Sequence, residues 1–401
     1  MMEVINTEKQ PIKIWSKNTE AGAISQLKNL ANLPFIHKWV CAMPDCHQGY
    51  GMPIGGVIAT EGVIIPNAVG VDIGCGMCAV KTSLTEISQD QLKEIMAMIR
   101  KTIPVGFKHH SKKQDESLMP KVPNSKFYSE EHLRIEMPIC GQEYQNALTQ
   151  IGTLGGGNHF IEIQKGDDGH IWIMIHSGSR NLGYQVANHY NKVAQELCRK
   201  WYSNIPEFHG EDGLAFLPID TKEGQDYLNE MQYCVDFALA NRLLMMNRIM
   251  ESFEKIIGKG NFGSVQDIIN IAHNYASIEN HFGKNVWVHR KGATKASKGL
   301  VGIIPGSMGT SSYIVEGLGN PESFESCSHG AGRKMGRNEA VKTLDLKHEQ
   351  EIMKGILGAP RTKEDLQEAP GAYKDILDVM ENQKDLVKIL VELKPLAVIK
   401  G

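Results

Sequence analysis

The sequence lacks the features of membrane, secreted and uniformly basic proteins. No apolar run is long enough to span a bilayer, and residues 1–6 lack the basic-then-apolar pattern of a secretory signal. We therefore expect a cytoplasmic protein without a membrane partner. The 8 cysteines are scattered over 401 residues, which argues against a disulfide scaffold. The net charge of −3 means that any contact with a polyanion must be local.

Repeats, low-complexity segments and long linkers are also missing from the sequence, so a string of separate modules is not indicated. The length alone would favour roughly two or three domains. The glycine-rich loops with polar residues, however, follow strands in both halves of the chain. We therefore predict one intertwined α+β domain over residues 1–401, with mixed β-sheets forming the active-site core and helices packed outside.

The periodicity of apolar residues predicts the order of the elements. Helices are predicted at 20–31, 88–101, from about 181 to 201, at 221–257 and over most of the chain beyond 336. Strands are predicted at 11–16, 38–42, 57–60, 63–66, 77–81, 160–164, 171–175, 267–273, 285–290 and 300–304. A long loop rich in glycine and proline is predicted at 43–56, and long loops in compact domains usually serve function.

The glycine-rich turn at 69–76 places Asp72 three residues before Cys75. A carboxylate and a thiolate so placed can reach one metal ion, and a thiolate can bridge two ions. A buried thiol in a plain turn explains the same pattern equally well. Cys75 and Cys78 form a C-x-x-C without a second such pair, so a zinc ribbon is not supported. Cys78 opens an apolar strand, and we expect it in the core.

Two histidines flank a predicted hairpin. If its turn is centred between Asp167 and Asp168, His159 and His176 lie directly opposite each other. Directly opposed residues have Cβ atoms roughly 4.5–5.5 Å apart, a spacing that suits two ligands of one metal centre. A slip of one residue in the register would remove this pairing.

His273 and His329 share the same setting, next to a strand and beside glycine, serine or asparagine. One such histidine is usually a core residue, but four of them favour a site. Imidazoles together with one carboxylate and one thiolate fit Mn, Fe, Co, Ni or Zn better than Mg or Ca. The residues alone do not choose among these metals.

Glycine-rich loops with serine or histidine indicate sites for phosphate. The run 155–157 is not a Walker loop because the Gly-Lys-Ser/Thr ending is missing. The loops 305–312 and 329–332 can present backbone N–H groups to an anion. His329, beside glycines that permit close approach, is a candidate nucleophile toward phosphorus.

Six motifs together resemble the RtcB-type RNA ligases, also called tRNA-splicing ligases, in their shorter bacterial form. The resemblance runs from about residue 11 to 401, and the motifs stand in the family's order. They are Asp72-Ile73-Gly74-Cys75-Gly76, Gly157-Asn158-His159-Phe160-Ile161-Glu162, His176-Ser177-Gly178-Ser179-Arg180, His273-Asn274-Tyr275, Pro305-Gly306-Ser307-Met308 and Ser328-His329-Gly330-Ala331-Gly332-Arg333.

The resemblance implies a GTP- and manganese-dependent ligase. Asp72, Cys75 and His159 would hold one Mn²⁺ ion, and Cys75, His176 and His273 would hold a second, with the thiolate bridging. His329 would become guanylylated by GTP. The GMP would then activate an RNA 3′-phosphate, or a 2′,3′-cyclic phosphate after its opening. Attack by a 5′-hydroxyl would join the RNA ends, as RNA repair or tRNA splicing requires.

The resemblance also implies a guanylate pocket and a second catalytic residue. The pocket would comprise Asn158, His159, Phe160, Ile161, Glu162, His273, Asn274, Pro305, Gly306, Ser307, Met308, Ser312, His329, Gly330, Ala331, Gly332 and Lys400. Asp45, in a Pro-Asp-x-His stretch shared by the family, would orient the 5′-hydroxyl or a metal-bound water. Cys46 stands where valine is usual, and we expect it to fill an apolar slot.

Basic residues leave the RNA contacts open. Arg180, Arg290 and Lys291 would contact the RNA backbone or be ordinary surface charges. The Lys- and His-rich segment 106–126 favours a mobile, solvated loop, with a phosphate-contacting flap as the alternative. The physiological substrate, the oligomeric state and any activating partner protein are not indicated.

Three other functions remain open from the residues. A two-metal phosphohydrolase would use Asp72, Cys75 and the histidines without a guanylate pocket. A paralogue would modify DNA 3′-phosphate ends. A catalytically idle RNA-binding paralogue is disfavoured because no proposed ligand is missing.

Overall fold

The computed structural model describes residues 2–121, 130–204, 213–258 and 267–401. Its helices are α1 (Ala21–Ala31), α2 (Pro66–Val69), α3 (Gln89–Thr102), α4 (Glu130–Glu136), α5 (Pro138–Gln150), α6 (Arg180–Lys200), α7 (Lys222–Ile257), α8 (Arg337–Thr343), α9 (Leu346–Ile352) and α10 (Ile376–Glu381). Its strands are β1 (Glu3–Ile5), β2 (Ile12–Ile14), β3 (Ile36–His47), β4 (Ile54–Thr60), β5 (Val63–Ile64), β6 (Gly76–Lys81), β7 (Phe160–Gly166), β8 (Ile171–Ser177), β9 (Leu217–Pro218), β10 (Ile269–Ala272), β11 (Asn274–His281), β12 (Lys284–Lys291), β13 (Ala293–Lys295), β14 (Val301–Ile304), β15 (Ser312–Gly317), β16 (Ser326–Ser328) and β17 (Val387–Lys400).

Two large sheets organise the described part of the chain. One has six strands in the order β1-β2-β3-β4-β12-β11, and the other has seven in the order β10-β6-β8-β7-β17-β15-β14. The β2–β3 pair is parallel, whereas the other pairs in these sheets are antiparallel. The remaining strands form two two-stranded sheets, β13–β16 and β5–β9. The predicted α+β class with mixed sheets is confirmed.

Helix α7 is the long scaffold on which the second sheet rests. The Thr221 hydroxyl caps its first turn by accepting the Gly224 N–H at 3.1 Å. Tyr227, Phe237 and Phe253 are fully buried along it, and each such burial contributes about 1.5–3 kcal/mol. The helix predicted over 221–257 is confirmed. Across the described ranges, no helix combines the length and apolarity needed to cross a membrane.

Helix α3 also matches its prediction and shows why the chain turns helical there. Ser88 and Gln91 form a reciprocal capping box, with Ser88 Oγ accepting the Gln91 N–H at 3.2 Å and Gln91 Oε1 accepting the Ser88 N–H at 2.9 Å. The apolar face that spacing predicts is buried against α7 and the second sheet; it comprises Leu92, Ile95, Met96 and Ile99.

Several boundaries differ from the predictions. Strand β3 continues to His47, so the predicted loop 43–56 shrinks to the residues between His47 and Ile54. The prediction of mostly helix beyond 336 is wrong for β17, which pairs with both β7 and β15. Pro395 argued against a strand here, because proline lacks the N–H that pairing requires. The strand tolerates it because Pro395 lies at a break in the register with β7.

The β7–β8 hairpin has a three-residue turn, not the two-residue turn that was predicted. The Gly166 N–H donates to the His170 carbonyl at 2.8 Å, and Gly169 adopts φ +84° in the turn. This turn is centred on Asp168, so Phe160 pairs with His176. The predicted register, with His159 opposite His176, is wrong by one residue.

Candidate active site

Five side chains converge on the bend between α2 and β6. Cys75 Sγ lies 3.4 Å from His159 Nε2 and 3.2 Å from His176 Nε2. His159 Nε2 also lies 3.1 Å from Asp72 Oδ2, and His176 Nε2 lies 3.4 Å from His273 Nε2. They form two triads that share Cys75, with the ligand atoms of each triad within 4.8 Å of one another. These five residues, called the metal cluster below, are suited to holding metal.

Backbone carbonyls fix which histidine nitrogens face the cluster. His159 Nδ1 donates to the Leu154 carbonyl at 3.1 Å, and His176 Nδ1 donates to the Asn158 carbonyl at 3.0 Å. The Nε2 atoms therefore turn their lone pairs toward the Cys75 sulfur. This outer arrangement is the one that holds metal-binding histidines in the correct tautomer, so the residues fit a bound cation.

Burial and charge set the protonation of the candidate ligands. Desolvation lowers the pKa of His176 and His273 well below the usual value, so both rings are neutral. The hydrogen bond and charge of His159 outweigh desolvation at Asp72 and lower its pKa to about 2. Desolvation, and then the Asp72 charge, raises the pKa of Cys75 well above its usual value. A coordinated cation would stabilise the Cys75 thiolate.

The one-residue difference in the hairpin register does not separate His159 from His176. His159 precedes β7 in the glycine-rich loop, and its ring centroid lies 5.2 Å from that of His176. The ring of His176 is also 5.2 Å from that of His273. Cys78 and Cys46 are fully buried in hydrophobic clusters, as expected for both.

Glycines let the site pack closely. Gly74 adopts φ +73°, and a Cβ there would lie 2.8 Å from Val235 Cα on α7. A Cβ on Gly178 would lie 2.2 Å from Asp72 Oδ1. Larger residues at either position would displace the bend or the carboxylate.

Two adjacent polar residues of α7 form hydrogen bonds with the backbone around this bend. Arg242, fully buried, donates through Nη1 to the Gly74 carbonyl at 2.9 Å and to the Ser177 carbonyl at 2.8 Å. Its Nε donates to Asn270 Oδ1 at 2.8 Å. Asn241 accepts the Gly152 N–H at 2.7 Å and donates to the Gly178 carbonyl at 3.1 Å. The sequence interpretation missed both residues; their only signal is a polar pair inside an apolar helical stretch.

His329 lies between this cluster and a cavity. Its ring centroid is 4.8 Å from that of His273, and its Nδ1 lies 2.5 Å from Asp45 Oδ2. Desolvation raises the pKa of Asp45, but the charge and hydrogen bond of His329 outweigh it and lower that pKa. Asp45 thus contacts the His329 ring and its backbone N–H. Its role toward the 5′-hydroxyl or a metal-bound water stays a prediction.

The cavity beside His329 has a volume of about 160 Å³. It brings together most of the residues predicted for a guanylate pocket, although they come from four separate segments. These are Asn158, Phe160, Glu162, Pro305, Gly306, Ser307, Met308, His329, Gly330, Ala331, Gly332 and Lys400. Their assignment to guanylate remains a prediction.

The other residues predicted for the pocket lie around it. Ile161 packs in the core on the face of β7 opposite Phe160 and Glu162, because side chains alternate along a strand. Ser312 does not line the cavity, but its Oγ accepts the N–H of the lining residue Gly306 at 3.1 Å. Asn274 Nδ2 donates to the Asp72 carbonyl at 3.0 Å. His159 and His273 belong to the metal cluster.

The cavity also has members that the prediction omitted, namely His47, Ile54, His176, Arg333, Arg337 and Tyr373. The two arginines share Glu368, with Arg333 Nη1 3.2 Å and Arg337 Nε 2.8 Å from its Oε1. Arg333 closes a motif that was recognised, but nothing in the sequence joins Arg337 or Tyr373 to it.

Glu162 is the acidic residue of this cavity. Desolvation raises its pKa to about 8, although Lys400 and Gln164 act in the opposite direction. Gln164 Nε2 donates to Glu162 Oε2 at 2.6 Å. The carboxyl group therefore titrates near neutral pH, where such a group can change its hydrogen bonding to a ligand.

Arg290 and Lys291 have neither of their predicted roles. Arg290 is fully buried and pairs with Glu279 through Nη1 at 2.6 Å and Nη2 at 3.1 Å. Lys291 is buried and donates to the backbone carbonyls of Tyr50 and Asn67. Neither side chain is a surface charge or available to RNA. Arg180 is half-buried, and its Nη1 lies 3.2 Å from His159 Nδ1.

The segment 106–121 is attached to its neighbours. The Gly106 N–H donates to Gly155, the His110 N–H to Thr149 and the Gln114 N–H to Leu148, each at 2.9 Å. Its lysines are exposed; they are Lys108, Lys112, Lys113 and Lys121. The remainder of the predicted loop, including Lys126, lies outside the described residues.

Comparison with known proteins connects this geometry to a family. The model of the family described as tRNA-splicing ligase RtcB matches residues 26–401. The chain belongs to the RtcB family. The RNA-splicing ligase RtcB of Escherichia coli K12 is 39% identical to it, over 100% of this chain and 99% of that relative.

Archaeal members of the RtcB family are also similar over nearly their whole length. The tRNA-splicing ligase RtcB of Pyrobaculum aerophilum is 33% identical, covering 98% of this chain and 95% of the relative. That of Methanococcus maripaludis is 34% identical, covering 96% and 92%. The family resemblance predicted from the six motifs is confirmed.

Proposed function

We propose that this RtcB family member is a GTP- and Mn²⁺-dependent RNA ligase. It joins RNA 3′-phosphate or 2′,3′-cyclic phosphate ends to 5′-hydroxyl ends. The relatives that match over their full length are named RNA-splicing or tRNA-splicing ligases. A ligase of this kind needs a nucleotide pocket, a nucleophile and a charge-neutralising centre in one place.

The position of His329 is the observation that carries the proposal. It lines the cavity formed by the glycine-rich loops, and its ring lies 4.8 Å from the ring of His273 in the metal cluster. A two-metal hydrolase would need the cluster but not a histidine held by Asp45 in the wall of the adjoining cavity. The arrangement therefore supports guanylylation of His329 more than simple hydrolysis.

The first step uses groups of this chain in definite roles. Asp45 accepts the Nδ1–H of His329, which leaves the Nε2 lone pair free to attack the α-phosphorus of GTP. An N–P bond forms, and the bond from that phosphorus to the pyrophosphate oxygen breaks. When bound at the two triads, Mn²⁺ ions would neutralise phosphate charge. Lys400, Arg333 and Arg337 add cationic charge along the same cavity.

The next steps transfer the GMP and join the strands. An oxygen of the RNA 3′-phosphate attacks the phosphorus held on His329, which forms RNA-3′-pp-G and releases the histidine. The 5′-hydroxyl oxygen of the second strand then attacks the RNA 3′-phosphorus, and GMP leaves. A cyclic phosphate is opened by water to the 3′-phosphate before activation.

A joining assay tests this function. RNA with a 3′-phosphate is incubated with a 5′-hydroxyl strand, GTP and Mn²⁺, and the joined product is resolved by size. We expect joining by the wild-type protein and none by His329→Ala or without GTP. Loss of the terminal phosphate without joining would favour the phosphohydrolase, and capped DNA 3′-phosphate ends with unreactive RNA would favour the DNA-modifying paralogue.

A further inference from the structure

A groove on the other side of the metal cluster carries exposed aromatic side chains. Its volume is about 670 Å³, within the range of cavities that hold small ligands. Phe107 is fully exposed, and Tyr184 and Val71 are about half-exposed. Its polar lining is Asp72, His109, Asn146, Gln150, Arg180 and Asn181. Grouped apolar side chains at the surface of a soluble protein mark binding surfaces.

Both aromatic residues rest on fixed backbone. The Gly106 N–H, directly before Phe107, donates to the Gly155 carbonyl at 2.9 Å. Tyr184 lies one turn after Arg180 on α6, so their side chains emerge on the same face of the helix. Their backbones are therefore fixed at the groove, while both rings stay exposed to solvent and are available to a ligand.

The groove reaches the metal cluster directly. Asp72 lines it and belongs to the triad with Cys75 and His159. Arg180 also lines it, and its Nε is buried without a hydrogen-bond partner among the described residues. A guanidinium beside exposed aromatic rings suits a nucleic-acid strand, whose phosphate pairs with the cation while its bases stack.

The chemistry of joining indicates which strand lies there. The attacking and leaving oxygens of phosphoryl transfer are roughly in line, so the 5′-hydroxyl must approach from the side opposite the departing GMP. The predicted guanylate cavity lies beside His329 and the triad that includes His273. The groove adjoins the other triad through Asp72 and shares no lining residue with that cavity.

We propose that Phe107 and Tyr184 stack the first unpaired bases of the RNA strand that carries the 5′-hydroxyl. The inference rests on the proposed ligase function and adds the site of one substrate strand. Amide side chains also line the groove. Asn146 and Asn181 each donate one Nδ2 N–H to Glu143 Oε2 at 3.1 Å, which leaves a second N–H on each for base edges.

Separate assays of the three steps test the proposal. They measure guanylylation of the protein by GTP, conversion of 3′-phosphate RNA to RNA-3′-pp-G, and sealing of that activated RNA to a 5′-hydroxyl strand. Phe107→Ala and Tyr184→Ala should each raise the KM for the 5′-hydroxyl strand on the order of tenfold. The first two steps should stay within about twofold of wild type. Phe107→Trp should restore the sealing KM because an indole also stacks.

Tyr202→Ala is the matched control, since Tyr202 is an exposed aromatic residue just beyond the far end of α6. It should leave all three steps unchanged. A direct readout uses 2-aminopurine beside the 5′-hydroxyl, whose fluorescence should be quenched by wild type and much less by Phe107→Ala.

The outcomes separate this inference from the ligase function. Equal losses in activation and sealing would place the 3′-phosphate strand in the groove and overturn the assignment. Unchanged KM and quenching in both alanine variants, or an altered oligomeric state as their only effect, would also overturn it. Failure of the wild-type protein to become guanylylated would instead reject the function on which it rests.

Discussion

Asp45 Oδ2 lies 2.5 Å from His329 Nδ1 and also accepts the His329 backbone N–H at 3.1 Å. The two residues are 284 positions apart in the chain. Asp45 is fully buried, so its carboxylate holds the imidazole in one orientation. The pair has the form of a nucleophile oriented by a carboxylate, with Nε2 left free for phosphorus.

Replacing Asp45 with asparagine should slow the first chemical step. The neutral amide cannot hold His329 in the tautomer with Nδ1 protonated and Nε2 free, as the Asp45 carboxylate does. We therefore expect the guanylylation rate to fall on the order of 10²–10⁴-fold, as when the orienting Asp of a catalytic triad is replaced by Asn. Single-turnover labelling with GTP measures this rate. Metal content should stay normal, and an unchanged guanylylation rate with a defect only in sealing would assign Asp45 to the 5′-hydroxyl instead.

Cys75 should be required for metal binding at either triad because both triads include its sulfur. Elemental analysis after dialysis against Mn²⁺ should find a loss of bound metal in Cys75→Ala. Cys78→Ala is the matched control, since Cys78 is an equally buried thiol in a hydrophobic cluster. Full metal occupancy in Cys75→Ala would contradict the shared-ligand arrangement.

Arg242 should act by positioning the metal ligands. Arg242→Met removes the hydrogen bonds to the carbonyls of Gly74 and Ser177, and we expect a 10–100-fold weaker apparent affinity for Mn²⁺. Titration calorimetry measures the affinity, and thermal unfolding of the metal-free protein gives the stability separately. Arg248→Met, on the same helix but bonded to His110 and Gln114, should bind Mn²⁺ normally. Equal affinities in the two variants would reject this role.

Glu162 should make GTP binding depend on pH. Its pKa is raised to about 8 by burial, so its carboxylate forms as pH rises through that value and can then accept a hydrogen bond from a guanine N–H. The KM for GTP should therefore fall about tenfold between pH 7 and 9, following the ionised fraction. Glu162→Gln should flatten this dependence. The same slope in both proteins would assign it to another group.

The buried Arg290–Glu279 pair should matter for stability and not for RNA binding. Glu279→Gln leaves the Arg290 charge without its carboxylate, which should cost about 3–5 kcal/mol in urea unfolding. Asp90→Asn, in the exposed pair with Lys93, should change stability by less than about 0.5 kcal/mol. Equal, small losses in the two variants would show that burial of the first pair has no energetic consequence.

The Arg290–Glu279 pair also predicts how the stability of the protein changes with pH. Burial raises the pKa of Glu279, but the hydrogen bond from His281 and the charge of Arg290 outweigh it and hold that pKa well below its usual range. The stabilisation is therefore present above about pH 4.3, the value of the unfolded chain, and is lost on acidification below it. Wild type should lose more stability than Glu279→Gln over that interval.

The sequence singled out the candidate site residues because they carry local signals. Asp72, Cys75 and His329 stand beside glycines next to strands, a pattern that ordinary core residues seldom repeat. Arg242 carries no such signal, because a polar residue within a helix has the same appearance whether it faces solvent or a buried carbonyl. Its partners are distant in the chain, and only the packed structure shows them.

Register and pairing explain the other differences. An Asp-Asp-Gly turn allows two or three residues in the loop, and the choice moves every partner of His176 by one position. Arg290 was interpreted as a surface or RNA-binding charge because its partner, Glu279, lies on a neighbouring strand that the pattern did not predict. Such pairings depend on tertiary contacts that periodicity does not contain.

Labelling with α-³²P-GTP and Mn²⁺ tests the central claim most directly. The wild-type protein should acquire a label that is labile in acid and stable in alkali, as a phosphoramidate is. The label should be absent from His329→Ala and should move to RNA on addition of a 3′-phosphate strand. Release of phosphate without any labelled protein, or full labelling of His329→Ala, would contradict the account.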